Sequence, residues 1–203
     1  IILTGLLSIA APHASAGLAE DLATQLDAVK PSHPRLFVPA DAMPALKAKI
    51  SDDSVLSAVY AHLIASADAT MDMEPVKRIK EGKRLLSVCR TCLQRVSYLA
   101  FAFRMTEQEK YLKRAEQEML AAAAFEDWNP SHFLDVAEMT AALAVGYDWL
   151  YDQLEPSARD KIRDAIIKLG LETSMKGGGW VTTTNNWNQV CHGGLVLGAL
   201  AIL

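Results

Sequence analysis

His132-Phe133-Leu134-Asp135-Val136-Ala137-Glu138-Met139-Thr140, running on through Gly146-Tyr147-Asp148-Trp149-Leu150-Tyr151-Asp152, is the stretch whose reading decides the fold. From about Ser131 to Gln153 the apolar residues surround a helix instead of alternating. Such a helix must be covered by partners on most sides. Segments 83–105 and 187–203 share that character, whereas 106–125 and 155–174 are amphipathic, with Tyr111, Ala115 and Met119 or Ile162, Ile166 and Leu169 facing inward. An inner ring of apolar helices and an outer ring of amphipathic ones would produce this alternation. The expected fold class is therefore all-α. Antiparallel helical hairpins, each roughly 40 to 50 residues long, stack side by side in an incomplete α/α toroid.

The flanking segments extend the same pattern. Residues 18–29 have helical spacing, and Pro31, Pro34 and Pro39 then make His33–Val38 an extended connector. A helix over 41–50 carries Met43, Leu46 and Ile50, and Ser51-Asp52-Asp53-Ser54 caps the next, which carries Val55, Leu56, Val59, Leu63 and Ile64. Thr106-Glu107-Gln108-Glu109 fits a capping box, and Pro156 suits a first-turn position. Gly177-Gly178-Gly179 and Thr182–Asn186 make a loop before the last helix.

Composition limits the partners. The 203 residues are 51% hydrophobic with a formal net charge of −4, and acidic and basic residues are interspersed. Nothing marks a nucleic-acid or anionic-membrane surface, so an anionic ligand would have to be met by local groups. The basic run Arg78, Lys80, Lys83 and Arg84 is one such set, or else a solvated face. Apolar Ile1–Ala10, then Pro12 and Ala14-Ser15-Ala16, fit a partial signal peptide over 1–16, with the mature chain starting near Gly17. Export to the periplasm or medium is expected. A membrane span is not, because it needs roughly 20 apolar residues. Leu195–Leu203 lacks any capping signal and reads as a helix cut short by truncation. Cys89 and Cys92 could pair or form a redox or metal half-site. Their neighbours Leu85, Leu86, Val88, Leu93 and Val96 point instead to free thiols in a buried helix, as for Cys191, and no metal site is expected.

Two segments could carry chemistry. In the first, Asp135 and Glu138 lie three apart and Asp148 and Asp152 four apart, so each pair shares a helix face. These carboxylates could work as acid and base on a glycoside, or could bond to neighbouring hairpins. Tyr147, Trp149 and Tyr151 would supply packing or a sugar-facing surface. The second segment is Gly179-Trp180 followed by Asn185-Asn186-Trp187-Asn188-Gln189-Val190-Cys191-His192-Gly193-Gly194. Asn188 and His192 share a helix face near an N-terminus, whose N–H groups favour an anion such as a sugar carboxylate. The competing reading has Asn185 or Asn186 capping the helix and His192 in the core.

His33-Pro34-Arg35-Leu36, the run from Ala137-Glu138-Met139-Thr140 to Asp152, and Asn186-Trp187-Asn188-Gln189-Val190-Cys191 together resemble heparinase II/III-type polysaccharide lyases over about residues 33–203. The resemblance implies an incomplete α/α toroid followed by an antiparallel β-sandwich, with substrate bound in the cleft between them. It implies β-elimination on a uronic-acid-containing polysaccharide, a glycosaminoglycan or alginate. By position Asn188 and His192 match the part that neutralises the uronate carboxylate, with Asn186 as the other candidate for that contact, and Asn186, Trp187, Gln189, Trp149 and Tyr147 would bind substrate. The Tyr that serves as base and acid, and a further His, would lie beyond Leu203, leaving this segment inactive alone. No cofactor is expected within it, although family members can carry a structural metal in the sandwich. Two rivals stand beside this reading. One is an inverting hydrolase on an α/α barrel using Glu138 and Asp148 or Asp152, and the other a non-catalytic helical carbohydrate-binding scaffold.

Overall fold

Asp53 shows how a polar residue starts a helix here: its carboxylate accepts from Val55 N at 2.8 Å and Leu56 N at 3.0 Å, as the capping signal predicts. The computed structural model describes residues 32–203, so the proposed signal peptide and the helix over 18–29 lie outside the described residues. After a short 3₁₀ turn, the helices are α1 Met43–Asp52, α2 Ser54–Thr70, α3 Leu86–Thr106, α4 Glu109–Ala123, α5 Leu134–Leu150, α6 Pro156–Ala165 and α7 Asn186–Ile202. Among the described residues there is no strand, only a single bridge between Glu81 and Arg84. The all-α class holds.

α5 lies at the centre. Fifteen of its 17 residues are buried, all but Glu138 and Trp149. It packs along α3 on one side and α7 on the other, while α4 and α6 lie behind. α3, α5 and α7 run parallel. The first turn of α5 meets the start of α3 where Asp135 accepts from Leu85 N, and on α7 Gly194 faces Ala137 while Gly198 faces Thr140. α4 and α6 are the return helices. A Cβ on Gly194 would collide with the Ala137 carbonyl, so the absence of a side chain there sets how closely α7 approaches α5.

Several local expectations are corrected. α3 and α7 are apolar in composition but not buried all round: six of 21 residues are buried in one and six of 17 in the other. Only α5 has neighbours on every side. Thr106–Glu109 forms no capping box. Glu107 adopts a left-handed conformation (φ 59°) that closes α3, while Thr106 Oγ1 donates to Ala102 O and accepts from Gln108 N. The same polar residues end one helix instead of starting the next, because the chain reverses within two residues. His33–Val38 is bent, with Phe37 at φ 61°. The helix expected over 155–174 changes at Ile166–Leu171 into a π-helical stretch, which presses Gly170 against Thr140 and Trp128.

A buried ionic cluster fixes the loop before α3. Glu118 pairs with Arg114 at 2.6 Å and with Arg95 at 3.2 Å. Those arginines donate to Met73 O and Glu74 O. Cys89, Cys92 and Cys191 are buried free thiols. Burial pushes all three thiols up, Cys191 to about 12. Among the described residues no helix is long and apolar enough to cross a membrane, and no group of three or more His, Cys, Asp or Glu could hold a metal.

Candidate functional site

The two ends of α5 each hold a buried carboxylate. Asp135 and Asp148 are 13 positions apart, about 20 Å at about 1.5 Å of rise per residue. The residues expected to bind substrate divide between these ends.

At the C-terminal end, Asp148 accepts from His33 Nδ1 at 2.7 Å, from Arg35 N at 2.9 Å and from Leu36 N at 2.8 Å. Trp149 Nε1 donates to Leu36 O at 2.9 Å. His33 stacks on Tyr151 with ring centroids 3.8 Å apart, and Tyr147 is buried edge-on to both rings. The His33-Pro34-Arg35-Leu36 segment is thus clamped to α5 by the His33 ring and the N–H groups of Arg35 and Leu36. Tyr147 and Trp149 make packing contacts here, and Trp149 also lines a cavity of about 470 Å³ with His33, Tyr151 and Asp152. Asp148 is fully buried and spends both oxygens on these donors, which removes it as a free acid or base.

At the N-terminal end the loop 177–186, the first turns of α7 and the start of α5 enclose a cavity of about 380 Å³. Phe133 and Trp180 form a parallel stack at 4.4 Å, and Trp187 and the Gly177-Gly178-Gly179 backbone complete the walls. The Trp180 indole Nε1 is closed off and has no hydrogen-bond partner. Gly178 passes so close to that ring that a Cβ would sit 3.0 Å from Nε1.

The three asparagines at this junction do different work. Asn185 caps α7, its side-chain oxygen accepting from Trp187 N at 3.0 Å. Asn188 donates both amide hydrogens to main-chain carbonyls, Val181 O at 2.6 Å and Trp180 O at 3.3 Å. Asn188, expected to meet a carboxylate, here pins the 3₁₀ turn Gly179–Val181 that presents Trp180. Asn186 is exposed, and its side chain makes no hydrogen bond. Gln189 is exposed as well. His192 Nδ1 donates to Asn188 O at 2.8 Å, which leaves Nε2 as its outward nitrogen. Its ring lies 5.0 Å from that of Trp180.

His132 stands just before α5 and pairs with its first turn. Its Nδ1 donates to Asp135 Oδ1 at 2.6 Å, and its ring meets Trp187 edge-on at 4.9 Å. Asp135 is fully buried, and its Oδ2 accepts from Leu85 N and Asn129 Nδ2, both at 2.7 Å. Asn129, at φ 59°, also donates to Lys83 O at 2.8 Å. The signal was present as His132-x-x-Asp135, one helical turn apart. Glu138, by contrast, is taken up in a two-pronged pair with Arg90, from 2.9 Å.

Neither comparison with known proteins, by family model or by curated sequence, gives a match. The geometry of the α5–α7 junction is therefore what any reading of function rests on.

Proposed function

We propose that the chain is the helical part of an exported polysaccharide lyase, an incomplete α/α toroid that binds a uronic-acid-containing polysaccharide for β-elimination. The observation that carries this reading is the junction at the N-terminus of α7. There an aromatic cavity lined by Phe133, Trp180 and Trp187 lies beside the first turns of α7, which also carry His192 and Asn186, whose amide makes no hydrogen bond. Stacked aromatic faces suit sugar rings. The helix N-terminus and Asn186 suit a carboxylate, and His192 adds a second donor when protonated.

β-Elimination needs the uronate carboxylate neutralised, so that charge developing on it as C5 loses its proton is stabilised. Asn186 and His192 take that role here, with Asn188 holding the loop beside them. For the inverting-hydrolase reading, Asp148 is enclosed by His33, Arg35 and Leu36 and Glu138 is held by Arg90, which leaves Asp152 as its exposed carboxylate.

The test is to incubate the full-length protein with heparan sulfate, alginate and related polymers, reading ultraviolet absorbance of an unsaturated uronate alongside new reducing ends. Both signals should rise together, and Asn186→Ala should lower the rate about 100-fold. Reducing ends without absorbance would overturn the reading.

A further inference from the structure

We infer that the cavity at the N-terminal end of α5 takes an uncharged sugar ring, so the polymer bound here alternates uronate with neutral sugar. The inference rests on the lyase reading above and names the substrate class of that site. Among the described residues, none that lines this cavity carries a charge. The cavity at the other end of α5 differs, with Lys47, Arg104, Glu107 and Asp152 in its walls. Here the walls are Phe133, Trp180 and Trp187, interrupted by Ser131, Thr183 and Asn185. Asn185 Oδ1 caps α7, while its Nδ2 and the Thr183 hydroxyl make no hydrogen bond within the chain. Aromatic residues with neutral donors and acceptors between them match the C–H faces and hydroxyls of a pyranose. At about 380 Å³ the cavity lies at the small end of ligand sites, room for one ring and not a length of chain.

The charges of the neighbouring segments give an anion no partner there. Asp135, two positions after Phe133, is fully buried and bonded to His132, Leu85 N and Asn129 Nδ2, with no Lys or Arg among its partners. Arg90 is paired with Glu138, and Arg78 with Glu126 and Asp127. Lys83, Arg84 and Lys176 are exposed, where a charge pair contributes little. A sulfate or second carboxylate brought into the cavity would lose its water without gaining a counter-charge. In the lyase reading the uronate carboxylate has its own place, at Asn186 and His192 on α7. One charged ring there and one uncharged ring in the cavity make an alternating polymer.

The test gives the full-length protein a panel of polymers and reads the initial rate of unsaturated product. Heparosan, hyaluronan and unsulfated chondroitin alternate a uronate with an uncharged N-acetylhexosamine. Heparin and chondroitin sulfate add sulfates to such backbones, and alginate has a carboxylate on every ring. The best of the unsulfated alternating polymers should exceed each of the others in kcat/KM by at least about 10-fold, since those must bring an unpaired charge into the cavity. Thr183→Lys, which puts a cation on the wall, should raise kcat/KM on the sulfated polymers relative to the unsulfated ones by about 10-fold. Two results would overturn the inference while leaving the lyase reading intact. One is heparin, chondroitin sulfate or alginate cleaved as well as any unsulfated alternating polymer. The other is a ratio within about twofold of wild type in a Thr183→Lys protein that melts with the wild type. If no polymer of the panel yields unsaturated product, the lyase reading itself fails and this inference falls with it.

Discussion

The two ends of α5 carry the same pair of side chains put to different uses. At each end a fully buried aspartate accepts from a histidine Nδ1, Asp135 from His132 at 2.6 Å and Asp148 from His33 at 2.7 Å. At the far end the histidine lies 115 positions away, stacked flat on Tyr151, and the carboxylate's other bonds go to two main-chain N–H groups of the same incoming segment. That is a clamp. At the near end the histidine lies three positions away, Asp135 is braced from behind, and the ring meets Trp187 edge-on. A buried His–Asp pair does not declare its purpose by its own geometry.

The comparison can be broken most severely at the clamp. Asp148→Ala would leave the N–H groups of Arg35 and Leu36 and the His33 ring without their acceptor in a buried setting. It should cost about 3–5 kcal/mol in denaturant unfolding. A loss below about 1 kcal/mol would mean that the 33–36 segment is not held as described. At the near end, His132→Asn should change unfolding free energy by less than about 1 kcal/mol, since the bond to Asp135 can be remade and only an open nitrogen is lost.

Between these in size lies the seam that joins α7 to α5. Gly194→Ala forces a methyl group onto the Ala137 carbonyl and should destabilise by about 1–3 kcal/mol, as overpacking does. It should also displace the first turns of α7, weakening ligand binding at the cavity. An unchanged melting temperature would show that the seam can open at no cost. The smallest effect concerns the thiols. With its pKa pushed up to about 12, Cys191 is protonated at neutral pH. Alkylation at pH 7 should therefore be slow in the native protein and fast in denaturant. Rapid native labelling would place the residue outside the core.

The fold was legible where composition and neighbours agree. α5 is apolar all round and is covered all round, so its pattern reads directly. α3 and α7 have similar composition, yet each keeps one side uncovered. On α7 that side carries Gln189 and Gly193, and Val196 is 51% exposed. Composition counts apolar residues but does not say whether a neighbour arrives to cover them. The loop before α7 was legible as a loop, and Asn185 as a cap. Its inner arrangement was not, since the two carbonyls that hold Asn188 are brought to it by a 3₁₀ turn with no sequence signature. The His33–Asp148 clamp was equally invisible, being a pairing across most of the chain. His132-x-x-Asp135 was readable, but the carboxylates Asp135 and Glu138 on the same helix made the more conspicuous pair.

The central claim is that ligand recognition belongs to the near end of α5 and structural anchoring to the far end. Titration of the full-length protein with a uronate oligosaccharide, followed by tryptophan fluorescence, tests it with one variant from each end. Asn186→Ala should weaken binding by about 10-fold or more, the value of a hydrogen bond to a charged group. Trp149→Phe, which deletes the N–H bonded to Leu36 O, should leave affinity within about twofold of wild type. Affinity lost in Trp149→Phe and retained in Asn186→Ala would contradict the account.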